Sequence, residues 1–349
     1  AIDKETVFAI QASADDSTII YSVKYDEQVV IDLKNPQPLE APLWANYLLG
    51  VLRQLVDRGH QLKPFRCVFG GNIPLGAGLS SSAALECGFA FALNELNQLQ
   101  IPKTELAKIA QWSEHHFIGV KCGIMDQFAS LMGKADHVIL LDCRSLDYRL
   151  YPLQLKGFSL VLVDSHVKHS LVDSEYNTRR SECEQGVALL KQYYSYVNSL
   201  RDVSEDLLRK HRHEMAGKVF DRCLYVVQEI LRVQQASKYL EQHDLVAFGK
   251  CMFETHSGLS NLYQVSCCEL DFLVDTACEI PGVIGARMMG GGFGGCTINL
   301  VSNEGLATFR QQIASSYFNT FKIQTEPLVV KVMDGVGVSD SSIVKNALL

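Results

Sequence analysis

Three short stretches near the start, residues 6–12, 18–23 and 28–32, are rich in β-branched residues and separated by polar breaks, which predicts strands. The period then changes. Past Pro42, Trp44, Tyr47, Leu48, Val51, Leu52 and Leu55 recur at helical spacing and Gly59 follows, which predicts an amphipathic helix with its aromatics in a core. Residues 65–69 predict a strand, 81–96 a helix behind it, and 104–117 a further helix capped by Thr104. A glycine-bounded loop, 119–123, leads into a short helix over 124–132, and 137–142 and 159–164 read as strands. Residues 175–276 are mostly helical in pattern. The runs 285–289 and 297–301 flank a glycine cluster and predict a hairpin; a helix over 305–317 and a strand over 326–332 follow.

Strands and helices mix without a steady β-α-β alternation, so the expected class is α+β. The 349 residues suffice for two domains, expected at 1–150 and 151–349. A hydrophobic share of 47% with 20% charged residues fits a folded chain rather than a disordered one. A net charge of -7 argues against a broad nucleic-acid surface, and no apolar run is long enough to predict a membrane span. The 11 cysteines are odd in number, scattered and free of C-x-x-C pairs, which predicts reduced thiols in a cytoplasmic protein and no zinc site. His115 and His116 are neighbours that would point different ways on a helix.

The densest chemical signal is Gly71-Asn72-Ile73-Pro74-Leu75-Gly76-Ala77-Gly78-Leu79-Ser80-Ser81-Ser82-Ala83-Ala84. A Gly/Pro loop opens into three serines and an apolar helix. Glycines permit close backbone approach, and a helix start offers unpaired N–H groups and a positive dipole end, which suits phosphate. The bland alternative is a capping serine after a loop. The loop lacks the lysine of a Walker A sequence. Gly290-Gly291-Gly292-Phe293-Gly294-Gly295 formally satisfies G-x-G-x-x-G, but a strand follows it where a dinucleotide fold needs a helix; its five glycines in six residues predict ligand contact. Glu114 and Asp126 read as a metal ligand and a base, or else Asp126 as a capping residue. Glu175-Tyr176-Asn177-Thr178-Arg179-Arg180 reads, on composition, as a solvated charged face.

The residues 74–84 resemble the phosphate-binding motif of the small-molecule kinases acting on galactose, homoserine, mevalonate and phosphomevalonate, and 288–296 resemble that superfamily's third motif. Within it, Cys122-Gly123-Ile124-Met125-Asp126-Gln127-Phe128, Asp142-Cys143-Arg144-Ser145-Leu146 and 174–180 resemble the galactokinase family. The match runs in order along nearly the whole chain. The resemblance implies a ribosomal-protein-like N-terminal α+β domain, a second α+β domain and an active site in the cleft between them. It implies that Mg²⁺ and ATP convert α-D-galactose to galactose 1-phosphate. By position, Gly76, Ala77, Gly78, Leu79, Ser80, Ser81 and Ser82 would cradle the ATP phosphates, Ser82 and Glu114 would hold Mg²⁺, and Asp126 would face the sugar's O1 hydroxyl. Gly123 and Tyr176 would contact the sugar, and the 290–295 turn would line the cleft.

The family opens with a motif of the form G-R-V-N-L-I-G-E-H-T-D-Y, which this sequence lacks, so an N-terminal segment carrying half the sugar site is expected to precede Ala1. The expected partners are galactose and ATP, with neither nucleic acid nor membrane, and the expected state is a monomer. Two alternatives stand beside this reading: a related sugar 1-kinase, such as one for N-acetylgalactosamine, and a non-catalytic galactose/ATP sensor.

Overall fold

The computed structural model describes residues 1–74, 78–167 and 172–339, apart from the side chains of 172–174 and 176. The chain divides into two compact units: 1–75 with 79–150 and 331–349, and 76–78 with 151–330.

In the first unit, β1 (Thr6–Ala12), β2 (Ile19–Ser22), β3 (Glu27–Val30) and β4 (Phe65–Gly71) form a sheet in the order β1-β4-β2-β3. The central pair β2–β4 is parallel and the flanking pairs are antiparallel. Alternation along β4 turns Phe65, Cys67 and Phe69 inward. They meet a helical layer made of α1 (Trp44–Asp57), α2 (Ser81–Asn97), α3 (Lys103–Ser113) and α4 (Met125–Met132). α1 supplies Trp44, Leu48, Leu52 and Leu55, as its spacing predicts. Trp44 packs edge-on against Phe69 at 5.2 Å between centroids, a favoured aromatic geometry. β5 (His137–Leu141) and β6 (Tyr148–Pro152) form a two-stranded ribbon; no strand was expected at β6.

In the second unit, β7 (Phe158–Asp164) is followed by the helices α5 (Val172–Tyr193), α6 (Glu205–Lys210), α7 (Val219–Glu241), α8 (Leu245–Gly258) and α9 (Cys268–Glu279). The expected hairpin is β8 (Val283–Met288) with β9 (Cys296–Ser302), then come α10 (Leu306–Phe321) and β10 (Leu328–Val330). The sheet order is β10-β7-β9-β8, antiparallel throughout. α9 and α10 cover one face through Leu273, Ala277, Phe309, Ile313 and Tyr317. α5, α6 and α7 share a separate core around Leu190, Leu208, Phe220 and Leu224. Gly249 of α8 lies so close to Ile284 that a Cβ there would strike its carbonyl, so the glycine lets this helix sit directly on β8. Among the described residues no helix is long and apolar enough to cross a membrane.

One expectation fails at α3. Thr104 is not its cap: the helix starts at Lys103 with Pro102 before it, because proline presets an extended entry without needing an N–H partner.

Candidate active site

The serine-rich start of α2 is built as an open helix end. Gly78 and Ser80 both take left-handed conformations (φ 70° and 51°), and the Ser80 side chain, at the N-cap position, makes no cap bond. The bland capping reading therefore fails at Ser80, and Ser81 and Ser82 present half-buried hydroxyls in the first turn. Leu79 is half-buried beside them. Leu75, Gly76 and Ala77 lie outside the described residues. Gly78 groups with the second unit, where a methyl on it would meet Gly295 Cα and the Cys296 nitrogen at 3.6 Å.

Glu114 owes its position to a close helix crossing. Gly50 of α1 has no room for a Cβ against Ser113, and Ser113 Oγ donates to the Tyr47 carbonyl at 2.7 Å. That bond pins the end of α3. Glu114 then opens a π-helical turn, Glu114–Ile118, a distortion that recurs at functional sites. Its side chain belongs to a residue only 6% exposed.

The Gly123–Asp126 segment is tied to the same turn. The Cys122 carbonyl accepts from Gln111 Nε2 (3.2 Å) and from His115 Nε2 (2.9 Å), which assigns the Nε2–H tautomer to His115. His116 stacks on Trp112 instead, 4.3 Å between centroids, so the two histidines diverge as expected. Gly123 is exposed, and a Cβ there would meet nothing within 4 Å. Asp126 is half-buried in the first turn of α4. Burial and then the carboxylates of Glu114, Glu86 and Asp126 push the Cys122 thiol up to about 11, so it is a neutral thiol and no nucleophile at neutral pH. The same three carboxylates push up the Cys87 thiol. The fold thus gathers three acids around two thiols.

Glu86 was not foreseen. It lies one helical turn past Ser82, fully buried, and neither carboxyl oxygen has a hydrogen-bond partner. Ser113 and Gln127 lie near enough to ease its charge, yet Ser113 bonds Tyr47 and Gln127 Nε2 faces Cys122 Sγ at 3.6 Å. Burial first, then the charge of Glu114, raises Glu86 to about 10. The signal in the sequence was a lone acid in the otherwise apolar run Ala83-Ala84-Leu85-Glu86-Cys87-Gly88-Phe89.

A carboxyl raised this way binds its proton in the folded state. Its contribution to stability is complete below the unfolded value near 4.5 and drains away as pH rises toward 10, by about 1 kcal/mol per pH unit. Glu86→Gln, which cannot ionise, is expected to flatten that decline: in metal-free buffer it gains on the parent between pH 6 and pH 9. Denaturant midpoints at the two pH values check this, and parallel curves would contradict it.

Oxygen donors in this arrangement fit a hard divalent cation. Glu114 and Glu86 are buried acids whose charges interact, neither Glu86 oxygen has a hydrogen-bond partner, and Ser82 offers a hydroxyl one turn before Glu86. Among the described residues no three His, Cys, Asp or Glu side chains converge on one point. An ion held here would complete its shell with phosphate oxygens and water.

In the second unit the 289–295 turn joins β8 to β9 and is anchored from several sides. Met288 N donates to His256 Nδ1 (3.2 Å), and His256 Nε2 faces Asp271 Oδ1 (3.2 Å), which fixes the ring between the strand and α9. Ser165 Oγ donates to the Gly295 carbonyl at 2.7 Å. Cβ atoms on Gly292 and Gly294 would strike the carbonyls of Val265 and Val167. The strand after the turn bears out the exclusion of a dinucleotide fold. Tyr176 falls in α5, but its side chain lies outside the described residues. The charged-face reading holds for the exposed Asn177, Thr178 and Arg180 and fails for Arg179, which is buried.

Known proteins resemble this chain over nearly its whole length. Residues 46–134 match the GHMP kinases N terminal domain, and residues 236–320 match GHMP kinases C terminal. A galactokinase of Roseiflexus sp. (strain RS-1) is 40% identical over 339 residues, 97% of this chain and 86% of the relative. A galactokinase of Thermotoga petrophila is 38% identical over 336 residues, 96% and 92% of the two chains. Lactococcus lactis galactokinase, solved in complex with galactose, superposes with a TM-score of 0.90 at 30% identity, covering 96% of this chain and 87% of that one. A mevalonate kinase shares the fold, with a TM-score of 0.64 at 19% identity over 96% and 91% of the chains.

Proposed function

This chain belongs to the GHMP kinases and, within them, to the galactokinase family, and from that premise we propose how its residues divide the work of the ATP-dependent galactose phosphorylation that it catalyses. The observation that carries the reading is the superposition, at a TM-score of 0.90 and 30% identity, on a galactose-bound galactokinase.

Transfer of a γ-phosphoryl group needs alignment and charge neutralisation more than covalent help from the protein. Residues Gly76 to Ser82 are assigned to the ATP phosphates, with Ser80, Ser81 and Ser82 bringing hydroxyls to the dipole end of α2. Ser82 and Glu114 hold Mg²⁺, which supplies positive charge to the phosphate oxygens when bound. Asp126 faces the O1 hydroxyl of α-D-galactose. It either accepts the proton or orients the hydroxyl, and the acidity of an anomeric hydroxyl eases both routes. Gly123, bare of any side chain, gives the sugar room, and Tyr176 contacts it. The product is galactose 1-phosphate. The enzyme acts as a monomer on small molecules, and its eleven free cysteines suit the reducing cytoplasm.

A sugar panel tests the substrate. Measured by sugar-dependent ADP release, kcat/KM for galactose is expected to exceed that for N-acetylgalactosamine by at least about tenfold, since an added acetamido group must find both room and partners. The reverse order would assign the neighbouring sugar kinase, and ligand binding without any turnover would assign a sensor.

A further inference from the structure

Two residues that are not glycine take left-handed backbone conformations beside the 289–295 turn: Gln264 (φ 54°) and, within the turn, Phe293 (φ 58°). A bulky side chain at positive φ is strained and persists only where its surroundings over-determine it. Arg179 supplies much of that determination. It is 8% exposed, and its Nε donates to the Tyr263 carbonyl at 2.9 Å while its Nη2 donates to the Gln264 carbonyl at 2.9 Å. Its Cζ stands 5.8 Å from the centroid of Phe293, a cation–π distance. The next residue, Val265, accepts from Phe293 N at 2.7 Å. Glu175 balances the guanidinium at 3.1 Å, and buried Arg222 binds the Gln264 side-chain oxygen at 2.9 Å.

We propose that Arg179 is a positioning residue, which holds the Gln264 and Phe293 backbones in their strained conformations and thereby sets the shape of the glycine-rich turn for substrate binding. The inference rests on the reading that this turn serves the substrate site. Five donors in a rigid fork can grip two successive carbonyls and still lie against a ring, which lysine cannot do. Arg179 itself touches neither substrate in this account. Loss of the clamp lowers the fraction of enzyme whose turn is competent, and apparent affinity falls by that fraction.

The test compares Arg179→Lys, Phe293→Ala, Phe293→Tyr and Gly290→Val by steady-state kinetics for ATP and galactose, with thermal midpoints alongside. Arg179→Lys and Phe293→Ala, which keeps a strained Cβ but loses the ring against the guanidinium, are expected to raise KM for at least one substrate by about tenfold or more with kcat nearly kept. Phe293→Tyr keeps the ring and is expected to stay within twofold of the parent. A merely structural role would lower kcat through lost active enzyme and leave KM alone, and that result overturns the proposal. Gly290 has φ 77° and open space where a Cβ would stand, so Gly290→Val reports whether the turn matters at all. If it raises KM while the clamp variants do not, the turn serves the site and the clamp idea fails. If none of the variants moves KM, the substrate-site reading of the turn fails and the proposal with it. Should Arg179→Lys not fold, the Phe293 pair decides by the same criterion.

Discussion

Asp126→Asn is expected to lower kcat on the order of a thousandfold while galactose and ATP still bind. Asparagine keeps the size of the side chain and one acceptor oxygen, and loses the charge and the capacity to take a proton. Its site is the first turn of α4, half-buried, with the Cys122 carbonyl held behind it by Gln111 and His115. Those anchors do not involve the Asp126 carboxylate, so the loop keeps its shape in the variant. The exchange costs the helix little, because asparagine is also tolerated near a helix start. The loss therefore belongs to the transition state, where charge develops on the sugar oxygen. Stopped assays of ADP release, run beside calorimetric titration of galactose, separate chemistry from binding. Turnover within tenfold of the parent would remove Asp126 from the catalytic role.

Glu114→Gln carries the second large effect, and it pulls stability and activity apart. Glu114 and Glu86 are both buried, and the charge of Glu114 adds to burial in raising the Glu86 carboxyl. Glutamine at 114 removes the desolvation cost of a buried charge, so the thermal midpoint of the metal-free protein is expected to hold or rise. Activity moves the other way. A neutral amide is a poor partner for a hard divalent ion, so kcat/KM is expected to fall about a hundredfold and the Mg²⁺ concentration for half-maximal rate to rise at least about tenfold. Stored strain of this kind is common at catalytic centres, where a less stable arrangement is kept because the ligand completes it. Mg²⁺ titrations of the rate, with unfolding curves on the same samples, check both halves. A variant with unchanged Mg²⁺ dependence would move the ion away from Glu114.

Much of the fold was legible because its cues are local. The strand at residues 6–12 was read to its ends, since β-branched and aromatic residues concentrate there before a polar break. The helix over Trp44–Asp57 followed from six apolar residues at one spacing, and the glycine cluster was read as a hairpin turn because strand patterns flank it. Errors fell where a local cue met a competitor. Threonine at 104 looked like a cap, but proline two residues earlier had already set the entry to α3. Tyr148–Pro152 lacked a clear alternation, and its strand exists because β5 pairs with it.

The sequence by itself determined the class of the fold, the phosphate-loop string, the Cys122–Phe128 string and the family to which they point, since elements and motifs alike are written in short local runs. Tertiary structure alone decided which charged groups are buried and what they face. Glu86 meets Glu114 across 28 positions, and Arg179 reaches the Gln264 carbonyl across 85. Gly50 brings Ser113 to the Tyr47 carbonyl across 66. No window of sequence contains both members of such a pair. Burial, which turns a surface acid into a proton-holding one and a surface arginine into a clamp, is a property of packing at those distances and not of the residue.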